Sequence, residues 1–140
     1  MKKQIYVWIM ALGVLISCKD DKVNPSVSPL VGTWQLTAMN VTGCSNGENT
    51  SASYGCADNF CMKITMDKNG GYKVQTTLLG DLETDTGTYI EVDGSLEVCV
   101  NQGTECSSTE LSMASDKKSF TLTDTDGATG CVTVSTFVKL

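Results

Sequence analysis

The feature that most constrains the fold is an alternation of apolar and polar residues with a period of two, which recurs between residues 30 and 140. Clusters of Gly, Asp and Asn interrupt it, and these residue types tolerate the positive φ angles of hairpin turns. No stretch of this region keeps a helical period. The pattern predicts eight strands, at about 32–41, 60–67, 71–79, 86–92, 95–101, 107–114, 118–125 and 130–139.

The apolar positions stay on one face when the strands are joined as consecutive antiparallel hairpins, because directly opposed residues share a face. The last strand then pairs with the first, with Val138 opposite Trp34. The other face is mostly polar, as a solvent-facing surface requires. We therefore predict an all-β fold, an eight-stranded antiparallel up-and-down barrel with no free sheet edge. A β-sandwich would show the same alternation and stays open as an alternative.

The inner face of this barrel supplies the candidate pocket. Inward methionines would give it an adaptable apolar lining, although such residues more often fill a core. Eight-stranded barrels do either. The residues expected to line the pocket are Trp34, Leu36, Met62, Ile64, Met66, Val74, Leu78, Ile90, Val98, Leu111, Met113, Phe120 and Val134.

The N-terminal segment resembles a bacterial lipoprotein signal peptide. Lys2 and Lys3 precede an apolar run over residues 5–16, and Ser17 is the small residue before Cys18. The apolar run is shorter than the ~20 residues that a helix needs to cross a bilayer. Cleavage before Cys18 would leave its sulfur as the acceptor of fatty acyl chains. An ordinary secretory signal with a chance cysteine is the alternative.

The resulting organisation has three parts. Residues 1–17 are the signal peptide, residues 18–29 are the lipidated N-terminus and a flexible tether, and residues 30–140 are the barrel domain. The residues Lys-Asp-Asp-Lys at 19–22 resemble the acidic export tag of some surface lipoproteins, and a solvated charged tether explains them equally well. The sequence thus predicts a protein anchored to the outer membrane and exposed at the cell surface.

Composition excludes several classes of function. The net charge is −6, the chain has no His, and all ten basic residues are Lys. An acidic chain is repelled by phosphate backbones, so we expect no nucleic-acid partner. The commonest general base and imidazole ligand are missing, so we expect neither an enzyme nor a cofactor. Ser and Thr have no His partner and no nucleophile elbow.

One acidic stretch resembles part of a calcium loop. Asp81, Glu83 and Asp85 alternate in the sequence, but an EF-hand loop needs Gly at its sixth position and a carboxylate at its twelfth. Those positions hold Thr86 and Val92. We therefore interpret the stretch as a solvated turn, and we expect no metal site.

The start of the domain carries a family resemblance. The residues Leu-Val-Gly-Thr-Trp-Gln-Leu at 30–36 resemble the Gly-x-Trp first strand of lipocalins, and their position after an acylated cysteine is similar to the lipocalin-like lipoproteins of Gram-negative bacteria. The resemblance implies that Trp34 plugs the closed end of the barrel. It also implies that Lys139 is the basic residue that packs on this Trp, where the family often has Arg. No helix follows the last strand, which departs from the family.

The cysteines fit an exported, disulfide-stapled domain. Six remain after Cys18, an even number with 15 possible connectivities, and their spacing does not match a zinc ribbon. A metal site is the alternative. Barrel geometry favours a Cys99–Cys106 hairpin bridge, then Cys44–Cys131 because the first and last strands are neighbours, and finally Cys56–Cys61.

Two hypotheses for function follow. In the first, the barrel binds a small hydrophobic or amphipathic ligand, and the protein contacts the membrane through its acyl chains. In the second, the barrel is filled and the protein is a structural or interaction module, such as an accessory subunit or an inhibitor, with an unidentified protein partner. An internal cavity of several hundred Å³ would favour the first, since drug-sized ligands need about 300 Å³ or more.

Overall fold

The computed structural model describes residues 27–57, 59–100 and 103–140. The predicted signal peptide, Cys18 and the predicted tether up to residue 26 lie outside these ranges. No helix in the described part of the chain is long and apolar enough to cross a bilayer. The strands are β1 (Gly32–Thr42), β2 (Thr50–Ser53), β3 (Phe60–Met66), β4 (Gly71–Leu78), β5 (Asp81–Val92), β6 (Ser95–Val100), β7 (Glu105–Met113), β8 (Ser119–Thr125) and β9 (Val132–Lys139).

Eight of these strands form the predicted closed antiparallel barrel. From β3 to β9 each strand pairs with the next along the chain, and β1 pairs with both β3 and β9. The β1–β9 register joins Leu36 to Phe137 and then slips by one residue between Leu36 and Ala38, which is a β-bulge. The barrel prediction is confirmed, and closure rules out the β-sandwich alternative.

The short strand β2 is an addition that the sequence pattern did not predict. It lies within the expected long loop over 42–59 and pairs with residues 38–41 of β1. The β1–β3 ladder ends at Gln35, so the upper half of β1 would otherwise present unpaired backbone groups on that edge. β2 supplies those partners.

The barrel has a packed end and an open end. The packed end holds the start of β1, the end of β9 and three tight turns, at 67–70, 93–94 and 114–118. The open end holds the turn at 79–80, the loop at 126–131 and the long connection from β1 to β3, including β2. Because residue 30 precedes β1, the described chain enters the barrel at the packed end.

Trp34 is the centre of the packed end, as the Gly-x-Trp resemblance implied. Its side chain is fully buried, its Nε1 donates a 2.7 Å hydrogen bond to the Leu30 carbonyl, and its ring meets Phe120 edge-on at 4.8 Å between centroids. The Nζ of Lys139 lies 5.1 Å from the ring centroid, within cation–π range. Gly32 has φ of 139°, and a Cβ there would lie 2.9 Å from Cε of Lys139.

β5 begins earlier than expected and places an acidic stretch in the sheet. It starts at Asp81 rather than residue 86, and its ladder with β4 runs from Asp81 opposite Leu78 to Thr88 opposite Gly71. The interpretation of Asp81, Glu83 and Asp85 as a solvated turn was therefore wrong. Cross-strand hydrogen bonding outweighs the low strand preference of acidic residues here.

Ile90 faces outward, so its assignment to the pocket was wrong. The β5–β6 turn has two residues, Asp93 and Gly94, both at positive φ, and it pairs Val92 with Ser95. An inward Ile90 would instead require Val92 to pair with Leu96. This one-residue slip turns every β5 side chain over, and Tyr89 takes the inner position while Ile90 is 55 % exposed.

Val134 was also misassigned. β8 and β9 pair Phe120 with Phe137 and Thr123 with Val134, and the two phenyl rings stack in the core at 4.9 Å. Inner positions on β9 are therefore the odd-numbered ones, and Val134 lies on the outer face. The same register places Val138 opposite Gln35, rather than opposite Trp34 as predicted.

Candidate functional site

An apolar cavity of about 180 Å³ lies within the barrel between the packed end and the mouth. Four of the predicted pocket residues line it, and three further inner-face residues complete the wall. The lining residues are Ile64, Met66, Val74 and Val98, together with Tyr72, Leu96 and Leu122. These residues are contributed by β3, β4, β6 and β8.

The other predicted pocket residues lie elsewhere. Trp34, Leu36, Leu111 and Phe120 are buried in the core cluster, and Met62 and Met113 pack against it. Leu78 has the expected face but lies at the rim, where its side chain is 54 % exposed. Side-chain packing therefore fills much of the interior that the sequence assigned to a pocket.

A second pocket, of about 200 Å³, lies at the mouth beside the β4–β5 turn. It is lined by Thr76, Leu78, Leu79, Asp81 and Glu83. Val74 of the inner cavity and Thr76 of the mouth pocket are two residues apart on the same face of β4. The two pockets therefore follow one another along the inner face of this strand, apolar below and amphipathic above.

Carboxylates dominate the upper inner face. The β4–β5 register places Asp81, Glu83 and Asp85 on the same face as Leu78, Thr76 and Val74. By the same rule, Glu105 of β7 is on the inner face opposite Val100, and Asp124 of β8 shares the face of Leu122. In the described chain, the side-chain carboxylates of Asp81, Glu83 and Asp85 make no hydrogen bond or ion pair.

The described lysines are all elsewhere. Lys63 on β3 and Lys73 on β4 lie on the outer face of the barrel, where Lys63 is opposite Gln75 and Lys73 is opposite Thr65. The remaining four are at the packed end, namely Lys68, Lys117, Lys118 and Lys139. No described lysine is therefore placed to neutralise the carboxylates of the mouth, and the upper interior carries a net negative charge.

Tyr72 lines the apolar cavity from the second position of β4, just after the turn at 67–70. Its side chain is only 9 % exposed, and its ring covers Gly87, where a Cβ would collide with the ring and with the Cys99 carbonyl. Burial, and secondarily the charge of Asp85, raise the pKa of the Tyr72 hydroxyl above its ordinary 10.0. This hydroxyl makes no hydrogen bond within the described residues.

Tyr89 is the inner residue of β5 that follows Gly87 toward the packed end, and its hydroxyl is hydrogen-bonded within the protein. Its hydroxyl donates a 2.8 Å hydrogen bond to the Asp67 carbonyl. Burial raises its pKa above 10.0, with smaller contributions from the charges of Asp67 and Glu91. The contrast between the two tyrosines leaves Tyr72 as the one whose hydroxyl is available to a ligand.

Three disulfides hold the mouth, and they join the pairs inferred from the sequence. Cys44–Cys131 links the end of β1 to the start of β9, Cys56–Cys61 ties the long connection to β3, and Cys99–Cys106 bridges directly opposed residues of β6 and β7. Tyr54 and Phe60, next to the second bridge, pack with ring centroids 5.0 Å apart. Both rings also pack against the apolar core, so the bridge and the core together hold this part of the mouth.

The loop before Cys131 is ordered by a side chain. The Asp126 carboxylate accepts hydrogen bonds from the backbone N–H groups of Ala128 and Thr129, at 2.8 and 3.2 Å. These bonds stabilise the ionised form and hold the pKa of Asp126 below its ordinary value.

Metal binding finds little support among the residues described. Only Glu97, Cys99 and Cys106 bring three ligand-type atoms within 4.8 Å of one another there. The two cysteines are joined in a disulfide, so neither offers a thiolate. The carboxylates of the mouth are about 7 Å apart along β5, since inward residues recur every second position. They do not converge on one point.

The acidic lining of the mouth is the feature that the sequence analysis missed. A signal for it was present, because Asp81, Glu83 and Asp85 alternate with period two and continue the alternation of β5. Tyr72, Leu96 and Leu122 line the cavity but were not among the predicted pocket residues. The arrangement as a whole is an apolar cavity beneath a negatively charged opening.

Comparison with solved structures agrees with this architecture. A lipocalin-like protein from Bacteroides uniformis ATCC 8492 superposes with a TM-score of 0.54 at 18 % identity, over 80 % of this chain and 99 % of that one. An uncharacterized protein from Bacteroides eggerthii DSM 20697 gives a TM-score of 0.50 at 14 % identity, over 79 % and 99 % of the two chains. No protein-family model and no curated protein sequence matches this chain. The chain therefore has a lipocalin-like fold.

Proposed function

We propose that this protein binds a small hydrophobic or amphipathic ligand in the barrel. The observation that carries the proposal is the apolar cavity of about 180 Å³, which continues toward a mouth pocket along β4. The cavity is below the ~300 Å³ typical of drug-sized ligands, so the ligand would be small. The lipocalin-like fold supports the proposal as an analogy.

The proposal extends to location: an outer-membrane lipoprotein, anchored through acylated Cys18 and exposed at the cell surface. The position of residue 30 at the packed end supports this arrangement, because the mouth would then open away from the anchor. A tether of 12 residues, 18–29, spans at most about 40 Å when extended. Such a length leaves the barrel free of the headgroups.

Binding is tested with an uncharged apolar fluorophore such as N-phenyl-1-naphthylamine, on the chain from residue 18 with Cys18→Ser, which retains every described residue. We expect saturable enhancement of fluorescence. Val98→Phe should reduce it by filling the cavity, whereas Val138→Phe, on the exposed outer face, should not. Val98→Leu is the milder variant if the larger one unfolds. Absence of saturable binding by the parent protein would contradict the proposal.

The anchor is tested separately on intact cells. We expect metabolic palmitate labelling of the parent chain, its loss in Cys18→Ser, and release of the domain by protease shaving. Labelling without shaving would keep the anchor and reject the surface orientation. No labelling of the parent chain would reject the anchor while leaving the ligand proposal intact.

The interaction-module alternative is favoured by one observation. The β4–β5 hairpin tip exposes Leu78, Leu79 and Leu82, with 54 %, 75 % and 60 % of each side chain accessible. Apolar side chains at a loop tip are a common feature of protein contacts. Retention of a stable protein complex that Leu79→Ser abolishes, together with an empty barrel in native mass spectrometry, would favour this function over ligand binding.

A further inference from the structure

We infer that the ligand is a small organic cation with an apolar tail, held with its ammonium group at the mouth and its tail in the cavity. This inference rests on the proposed function and adds the chemical class of the ligand. Two observations carry it, the position of the apolar cavity and the charge of the mouth, and the Tyr72 hydroxyl at the cavity wall agrees with them.

The geometry separates the two halves of such a ligand. The lower cavity is walled by side chains such as Ile64, Leu96 and Leu122, which offer no charge and favour an apolar tail. One step up the inner face of β4, the mouth pocket presents Asp81 and Glu83. An amphiphile lying along β4 would thus cross from an apolar to an acidic surface over a few ångströms.

The charge of the mouth selects the sign of the headgroup. Asp81, Glu83 and Asp85 have no cationic partner in the described chain, and the lysines of the described ranges lie on the outer face or at the packed end. A carboxylate headgroup, as in a fatty acid, would be repelled by these groups. An ammonium group would gain charge-assisted hydrogen bonds.

The Tyr72 hydroxyl is available to a polar group of the ligand. The residue lines the cavity and is 9 % exposed, and its hydroxyl has no hydrogen-bond partner among the described residues. No buried side-chain N or O atom of the described residues lacks a partner, so this hydroxyl reaches open space, where water or a ligand group can pair with it. Its neighbour Asp85 makes an N–H donor the matching group.

A metal ion fits the same charges less well. The described residues contain no set of three carboxylates with oxygens within 4.8 Å of one another, whereas calcium takes six to eight oxygen ligands at roughly 2.3–2.6 Å. An organic cation needs no such convergence, because its charge is spread and its tail contributes binding.

The test compares three eight-carbon probes by calorimetry at pH 7, on the chain from residue 18 with Cys18→Ser. Octylammonium should bind about tenfold more tightly than octanol, since a hydrogen bond to a charged group adds to the same tail. Octanoate should bind most weakly. Calcium chloride serves as a fourth probe and should give no comparable heat.

Variants assign the selectivity to named residues. Glu83→Gln and Asp85→Asn should each weaken octylammonium by about threefold, and their combination with Asp81→Asn should bring the ratio to octanol near one. Glu110→Gln removes the same charge from the outer face of β7 and should leave the ratio unchanged. Tyr72→Phe should weaken octylammonium but not octyltrimethylammonium, which has no N–H donor.

The outcomes distinguish failure of the inferred cationic ligand from failure of the proposed ligand-binding function. Equal binding of octylammonium and octanol would overturn the cationic ligand while retaining an apolar pocket. Binding of octanoate above octylammonium would overturn it in the same way. Binding of calcium alone would replace it with an ion site. Binding of none of the probes would overturn the proposed function and this inference together.

Discussion

The two ends of the barrel are stabilised in different ways. At the packed end, aromatic and aliphatic side chains around Trp34 fill the interior, and the described disulfides are all elsewhere. At the mouth, the interior is a cavity lined partly by carboxylates, and three disulfides hold the surrounding loops. The comparison teaches that covalent bridges replace apolar packing where the interior is left open, which a small domain requires if it keeps a pocket.

The largest expected effect is at the mouth. The Cys44–Cys131 bridge closes a loop of 87 residues, and the chain-entropy relation assigns such a loop about 4–5 kcal/mol. We expect Cys44→Ser with Cys131→Ser to lower the free energy of unfolding by about that amount in urea titrations followed by circular dichroism.

The matched control is the pair Cys56→Ser with Cys61→Ser. Its bridge spans only five residues, for which the same relation gives about 2 kcal/mol. Equal losses for the two pairs would show that local order at the mouth, rather than loop length, sets the value of each bridge.

The next effect is at the packed end. Trp34→Ala removes a fully buried ring that contacts Phe120 and Lys139, and such truncations cost about 3–5 kcal/mol. Val138→Ala, on the neighbouring exposed face, should cost under about 1 kcal/mol. If Trp34→Ala lowered the free energy of unfolding no more than Val138→Ala, side-chain packing around Trp34 would not be what stabilises this end of the barrel.

A smaller effect is expected at the boundary between the two ends. A Cβ at Gly87 would meet the Tyr72 ring and the Cys99 carbonyl, so Gly87→Ala should cost about 1–3 kcal/mol. Gly127→Ala is the control, because no atom lies within 4 Å of a Cβ there. Equal melting temperatures for the two variants would show that the ring over Gly87 moves freely.

The smallest effect depends on pH. Burial raises the pKa values of Tyr72 and Tyr89 above 10.0 in the folded protein, so the unfolded chain loses these protons first as pH rises. The free energy of unfolding should therefore fall above about pH 10 and level off once the pH exceeds the folded-state pKa values. Tyr72→Phe and Tyr89→Phe should each remove part of that fall, measured by unfolding between pH 9 and 11.5 alongside tyrosinate absorbance.

Much of the fold followed from local chemistry. Alternation with period two identified the eight barrel strands, and the Gly-x-Trp pattern identified the packed end because few arrangements accommodate a buried indole beside a glycine. The cysteine pairs followed from strand adjacency, since the first and last strands of a closed barrel are neighbours.

The wrong pocket assignments arose where a shift of one residue in strand register moves every side chain of that strand to the opposite face. Asp93 adopts a φ of 47° and lets a two-residue turn form, which turned Ile90 outward. The six-residue loop at 126–131 has the same effect on Val134. Amino-acid composition does not reveal the number of residues in a turn, because Gly-rich segments accommodate turns of several sizes.

The site was harder to predict than the fold for a related reason. Acidic residues have low strand preference, so Asp81, Glu83 and Asp85 suggested a turn. Their inner position is imposed by the β4 ladder, a non-local interaction. Packing also decides which inner residues fill the core, as Leu111 and Phe120 do, and which leave space.

The separation of charge along the barrel has a consequence for how the molecule orients. At the packed end, four lysines are offset by the carboxylates of Asp67, Glu91, Asp93 and Asp116, while the charges described at the opposite rim are all carboxylates. The domain is therefore an electric dipole whose negative pole is its mouth. Beside any anionic surface, the torque on that dipole turns the opening outward, independently of how the chain is tied down.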